Sequence, residues 1–382
     1  MKVLVIPSWY PSKNYPNNGI FFKEQTEALK RKGIDVTVLC IEIPYRKAKK
    51  EFSYIKKNYY IENGIPVYRY VFPVGILHKF PKVYYAFLKF VSERIYVKEF
   101  KEKGYDVIQA HSFLIGGYSA ICLKKTFNCK CIITEHTSKI LMEALNKVEK
   151  EKLKECVNES DEFVCVSNNL KKYVQKITKT QKEILVQPNM VSDLFKSGKK
   201  TKDSFRFVSI GNLIPLKRMD LLIEAFCDAF SKEQDVSIDI YGDGPEYKRL
   251  ENIIYKKDRK NQIILHGSVS REEIAQALQQ SHVMALVSEK ETFGVAYIEA
   301  LASGNIIVGF KNGGADDIVT ERNGILLSSD NVEAVSEALK KVKEEYERYN
   351  IEEIRKECKS LYGEESFSEM YIRCFENVKR RI

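Results

Sequence analysis

Apolar residues in this chain fall mostly in short unbroken runs, separated by amphipathic stretches about one helix long. "KVLVIP", "DVTVLC", "DVIQA", "KCIIT" and "EFVCV" show little alternation, as expected of strands covered on both faces. "GIFFKEQTEALKRKG" has helical spacing, cations in its last turn and Gly33 as its stop. "NNLKKYVQKI" follows Ser167, a plausible N-cap. This rhythm predicts a parallel sheet covered by helices. It breaks at "ILVQPNMVSDLFKSGKKTKDSFRF", where Pro188, Gly198 and a lysine run suggest a linker. It restarts in "FRFVSIGNLIPLKRMDLLIEAFCDAF" and continues to "NIIVGF", with helix starts at Ser270–Glu273 and Asp330–Glu333 that read as capping boxes. No repeat of 20–50 residues is visible, which argues against a solenoid.

At 382 residues the chain exceeds one ordinary core, and a prior of about 150 residues per domain suggests two. The expected division is 1–195 and 204–365, each a Rossmann-like α/β domain. Residues 366–382 are expected to be a C-terminal helical segment packing back on the first domain. Paired sheets of this kind bind ligands at the carboxyl ends of their strands, facing a central cleft.

Composition narrows the class. Hydrophobic content of 44% and charge of 30% describe a globular protein with ample core. The N-terminal apolar run is short for a signal peptide, and no stretch reaches the ~18 apolar residues of a membrane span. Nine scattered cysteines, of which only Cys129 and Cys131 are close, read as reduced thiols of a cytoplasmic protein. Residues 1–200 hold 36 Lys+Arg against 20 Asp+Glu, leaving 26 against 32 for the rest. A basic first half suggests an anionic partner there, either nucleic acid or an anionic membrane surface.

The candidate chemistry sits at predicted strand ends. In "SEKETFGVAYIEALASG" Glu291 precedes a helix and Glu299 lies about two turns along it. A helix start beside Gly294 suits an anion, and ionised carboxylates there can accept sugar or ribose hydroxyls. A capping acid plus a surface acid is an equally weighted alternative. In "SIGNLIPLKRMD" Gly211 follows a strand, and Lys217 and Arg218 begin a helix, where cations oppose the dipole unless an anion is bound. "YGDGPEYKRL" reads first as a structural turn, with Gly242 at its head and Pro245 at the first helical position. "YPSKNYPNNGIFFKEQ" is a long loop ending in Asn18-Gly19, without the G-x-G-x-x-G of a dinucleotide dehydrogenase. His111 and His136, two of only five histidines, each end a strand; a lone strand-end histidine is more often structural. Metal-hydrolase, serine-hydrolase and P-loop patterns do not occur.

With these residues in place, "ETFGVAYIE" resembles the E-x7-E motif of retaining glycosyltransferases. Its setting from "ILHGSVSREE" to "VTERNGILL" is similar to the donor half of glycosyltransferase family 4. "NNGIFFKEQTEALKRKGIDVTVL", "DVIQAHSF", "ITEHTS", "VSNNLKK" and "VQPNMVSDLF" resemble its first half, so the resemblance covers nearly the whole chain. It implies a GT-B fold of two Rossmann-like domains and a nucleotide-diphosphate-sugar donor. It assigns Glu291 to the transferred sugar's hydroxyls and Glu299 to the ribose. The N–H groups of Phe293, Gly294 and Val295, with Lys217, would hold phosphate, and His111 would lie near the sugar. Gly19 would let its loop close over the donor, and Gly242 and Val269 join the donor-binding set. Asn18 and His136 are acceptor-side candidates. There are two departures: Asn212 stands where the family often has arginine, and Arg218 where it commonly has glycine.

The resulting expectation is a cytoplasmic, retaining hexosyltransferase of cell-surface polysaccharide synthesis that needs no metal or other cofactor. Lys217, Arg218 and helix N-termini would meet the diphosphate charge. Its acceptor would be a saccharide, lipid-linked if "KFPKVYYAFLKFVSERIYVKEFKEKG" contacts a membrane. Tyr84, Phe87 or Leu88, Val91 and Ile95 share a helical face there that core packing explains about as well. The alternatives are a sugar-nucleotide epimerase of related fold and a basic nucleic-acid-binding protein, for which no motif is present.

Overall fold

The unbroken apolar runs become strands with both faces covered: β1 (Lys2–Pro7) is buried beyond its first residue. In the computed structural model, residues 1–13, 15–44, 55–200, 204–231 and 233–380 are described. Contacts divide the chain into two units, Met1–Pro188 with Phe367–Ile382, and Asn189–Ser366.

The first unit continues with β2 (Asp35–Glu42), β3 (Lys56–Glu62), β4 (Ile65–Val71), β5 (Val107–His111), β6 (Cys131–Glu135), β7 (Glu162–Cys165) and β8 (Leu185–Val186). Their order is β3-β4-β2-β1-β5-β6-β7-β8. All neighbours are parallel except β3 and β4, which form an antiparallel hairpin at the sheet edge. Apart from that hairpin, the sheet is the parallel one that the strand–helix rhythm predicts. The hairpin turns on Asn63 and Gly64, both with positive φ as a two-residue turn of this kind requires.

The second unit contains β9 (Phe205–Ile210), β10 (Val236–Tyr241), β11 (Ile263–Gly267), β12 (Val283–Leu286), β13 (Ile306–Phe310) and β14 (Gly324–Leu327). The order β11-β10-β9-β12-β13-β14, parallel throughout, is that of a doubly wound sheet. Chain direction across the sheet reverses at β9/β12, as it does at β1/β5 in the first unit. Such switch points open a crevice at the strands' carboxyl ends.

Three local readings change. From Asn189 to Lys200 the stretch that reads as a linker is packed within the second unit: Val191 N–H donates to Tyr362 O (2.8 Å) and Lys200 Nζ to Leu278 O (3.0 Å). Its residues Thr201–Asp203 lie outside the described ones, as do the last two of the C-terminal segment. The cap expected at Asp330 belongs to Asn331, whose side chain accepts from Ala334 N–H (2.8 Å) ahead of helix Val332–Glu344. Pro245 lies in a turn two residues before helix Tyr247–Lys256 rather than at its first position.

Helix Pro81–Glu99 resolves the ambiguous segment. Tyr84, Leu88, Val91 and Ile95 are buried, and Ser92 Oγ donates to Ser119 Oγ (2.9 Å) on the neighbouring helix Tyr118–Phe127. That face is core. Another carries Val83, Phe90 and Val97 at seven-residue spacing, each at least half exposed, with Ile76 and Phe80 exposed just upstream. Lys79, Lys82, Lys89, Arg94 and Lys98 are exposed in the same segment.

Candidate active site

In the second unit, the loops after β9 and β12 meet at the switch point. The β9 loop runs Gly211-Asn212-Leu213 into a single turn, Pro215–Lys217, and the β12 loop runs from Val287 to Gly294. The loops are tied together where Glu289 N–H donates to Leu216 O (2.9 Å). Lys217 Nζ and Glu291 Oε1 form an ion pair, both side chains being largely buried. Gly211 lies over the Lys217 stem, where an added Cβ would meet its carbons at 3.6–3.9 Å.

Helix Val295–Ala302 begins directly beyond. Gly294 has φ 85°, and a Cβ there would come within 2.4 Å of the Tyr297 ring, so no other residue fits this turn without strain. Among the described residues, the N–H groups of Phe293, Gly294 and Val295 donate to no carbonyl or side chain. They are the open donors of a helix start, two to four residues beyond Glu291, the partner of Lys217. The Phe293 ring itself is buried against Tyr362.

Glu299, on the same helix, is 3% exposed and ion-paired at 2.5 Å to Arg271. Burial pushes its carboxyl above the ordinary carboxylate range, and the arginine opposes that shift. Arg271 opens helix Arg271–Gln280, whose Ser270–Glu273 capping box forms as expected, two residues after Val269.

Two donor-side candidates are placed differently. Arg218 has φ 50°, and its guanidinium lies 3.4 Å from Asp330 rather than beside Lys217. Gly242 approaches the chain instead of an open site: a Cβ there would stand 1.9 Å from Gly211 O, so its glycine is explained by backbone contact. The two turns also exchange the bond Leu213 N–H to Asp243 O (2.9 Å), which braces Asn212.

In the first unit, His111 Nδ1 and His136 Nε2 are 3.2 Å apart, so the two strand-end histidines are one buried pair. Phe22 stacks on His111 (4.5 Å) and meets His136 edge-on (4.8 Å). Phe22 belongs to helix Ile20–Arg31, whose N-cap is Gly19 in the left-handed region, with Asn18 exposed just before it. Burial lowers the His111 pKa to about 3. His136 is also driven well below the imidazole value, first by burial and then by His111. Both rings are neutral at pH 7.

Sequence reasoning did not single out Glu135. Its carboxylate accepts from the N–H groups of Phe113 (2.7 Å), His136 (2.8 Å) and Thr137 (2.7 Å) and from Ser112 Oγ (3.1 Å). It thereby clamps the loop after β5 to the loop after β6 and sets the histidines' spacing. A lone acid between an apolar strand and a histidine was its only trace in the sequence. Arg271 left none.

Two doubly wound units with their polar clusters at the carboxyl ends of the strands are the make-up of a GT-B fold. Two family models match, "Glycosyltransferase Family 4" over residues 19–193 and "Glycosyl transferases group 1" over residues 191–358. The chain belongs to glycosyltransferase family 4. TuaC of Bacillus subtilis, a glycosyltransferase named for teichuronic acid biosynthesis, is 25% identical over 368 residues, 90% of each chain. A human phosphatidylinositol N-acetylglucosaminyltransferase polypeptide is 24% identical over 334 residues, 86% of this chain and 66% of that one. The structure of Anabaena HepE in complex with UDP and glucose shares the fold, with a TM-score of 0.73 at 16% identity over 99% of this chain and 100% of that one. These relatives lend the epimerase alternative no support. Among the described residues, no helix is long and apolar enough to cross a membrane.

Proposed function

We propose that this enzyme transfers a sugar, with retention and without a metal ion, from a nucleoside-diphosphate sugar to a lipid-linked saccharide at an anionic membrane surface. The observation that carries the donor half is the Lys217–Glu291 pair beside the open N–H groups of Phe293, Gly294 and Val295. The cation and the N–H donors suit the leaving diphosphate, and the carboxylate suits hydroxyls of the transferred sugar. The bond from the anomeric carbon to phosphate breaks as the bond to the acceptor oxygen forms on the same face. The acceptor's proton passes to the departing phosphate oxygen. His111, neutral and buried, takes no part in that proton transfer.

The lipid-linked acceptor is favoured by two things. One relative's name specifies phosphatidylinositol as the molecule that receives the sugar. Helix Pro81–Glu99 presents Val83, Phe90 and Val97 among five exposed cations, a combination suited to the cytoplasmic leaflet.

Incubation with a panel of UDP-, GDP- and ADP-sugars, followed by detection of released nucleoside diphosphate, tests the donor. The anomeric configuration of the product, read by NMR, tests retention. An inverted product refutes the proposed displacement. Turnover in excess chelator should equal turnover without it; loss of activity restored by magnesium or manganese refutes the metal-free diphosphate site. Lys217→Ala should lower transfer by orders of magnitude.

A further inference from the structure

Arg271 is absent from the residues assigned above, yet it is held in a defined place. The Ser270–Glu273 capping box fixes the start of its helix: Glu273 N–H donates to Ser270 Oγ (3.2 Å) and Ser270 N–H to Glu273 Oε2 (2.9 Å). A cation at that helix start opposes the dipole and needs a counter-anion. Glu299 supplies it at 2.5 Å, and the guanidinium lies over the Phe195 ring at 4.7 Å. A carboxylate this deeply buried would be costly alone, and the pair offsets that cost. The arginine engages only Oε1: among the described residues, Glu299 Oε2 accepts no hydrogen bond. An ionised carboxylate with one oxygen anchored keeps acceptor capacity on the other.

We infer that Arg271 is a positioning residue for the donor, turning the Glu299 carboxylate so that its second oxygen accepts ribose hydroxyls of the nucleotide. This rests on the donor reading of Glu299 and deepens it. Val269, one of the donor-binding candidates, lies two residues before Arg271, so one short segment would carry both to the donor. A pair that served the fold alone would matter to unfolding and not to nucleotide affinity.

A double-mutant cycle on the full chain separates the cases. Calorimetry with UDP, GDP and ADP first identifies the nucleotide that the wild type binds most tightly. Arg271→Gln should weaken that nucleotide about tenfold or more, Arg271→Lys should recover part of the loss, and Arg271→Gln/Glu299→Gln should bind no more weakly than Glu299→Gln alone. Wild-type affinity in Arg271→Gln, or losses that multiply in the double variant, would overturn the inference. Wild-type affinity in Glu299→Gln, or no nucleotide bound by the wild type, would overturn the donor reading beneath it. If Arg271→Gln fails to fold, Arg271→Lys is compared on the ribonucleotide and its 2′-deoxy form. A reduced preference for the ribose supports the inference, and an unchanged preference refutes it.

Discussion

Glu291 and Glu299 are both carboxylates beside a cation, yet their partners differ in what they are free to do. Lys217 pairs with the glutamate that stands just before a helix start with open N–H donors, whereas Arg271 is paired with Glu299 and stacked on Phe195. Glu291→Gln should therefore leave nucleoside-diphosphate binding nearly unchanged and reduce transfer by orders of magnitude. Glu299→Gln should weaken nucleotide binding about ten- to hundredfold. Calorimetry with the nucleotide alone, set beside turnover, decides the matter; equal binding losses refute the division of roles.

The histidine pair has a pH consequence. A histidine whose folded pKa is depressed binds its proton more readily in the unfolded chain, so its stabilisation is fully present above about pH 6.5. It is lost as pH falls toward the folded value of about 3 for His111, at roughly 1.4 kcal/mol per pH unit for each such histidine. Glu135, raised by burial, contributes in the opposite sense, since its folded form takes up a proton first. The difference between wild type and His111→Phe isolates the histidine. The wild type should lose stability more steeply between pH 6.5 and 4, as read from chemical denaturation midpoints. Parallel curves would mean that His111 is not titrating as its burial requires.

At the scale of elements, helix starts provide a direct test of the corrected cap. Asn331→Ala removes the side chain that accepts from Ala334 N–H and should cost about 1 kcal/mol, while Asp330→Ala should cost much less. The reverse order in denaturation would restore the expected cap.

Helix Pro81–Glu99 divides its residues cleanly, and each face predicts something different. Replacing Val83, Phe90 and Val97 together by serine should abolish sedimentation with anionic vesicles while leaving unfolding little changed, because none is buried. Replacing Lys79, Lys82 and Lys89 should weaken the same binding mainly at low salt, since screening shortens the range of surface charge from about 10 Å at 0.1 M to about 3 Å at 1 M. Vesicle binding unaffected by either set removes the lipid-linked reading.

For the whole molecule, the chain closes the first unit with its own tail. Phe367, Tyr371 and Phe375 are buried, and Tyr371 shares a hydrogen bond with Thr134 on β6 (2.8 Å). Deleting residues 367–382 should destabilise the first unit selectively. Hydrogen exchange should rise in β5 and β6 and stay unchanged in β9 and β12; a uniform rise refutes that account.

The strand–helix order, the E-x7-E helix and the Gly19 helix start were legible because they depend on residues close in sequence: apolar runs, caps and a glycine where φ is positive. The Asn63-Gly64 hairpin was equally local, and its two-residue signal was there to be read. What sequence could not supply were partnerships between residues far apart in the chain. Lys217 meets Glu291 across 74 positions, Arg271 meets Glu299 across 28, and Glu135 gathers N–H groups from two loops. Composition left the Tyr84 face equally suited to core and membrane, and packing against a neighbouring helix assigned it to the core. Local periodicity determines which segments become strands and helices. Sheet order determines which of their ends meet, and through that the charge state, orientation and partners of every polar side chain placed there.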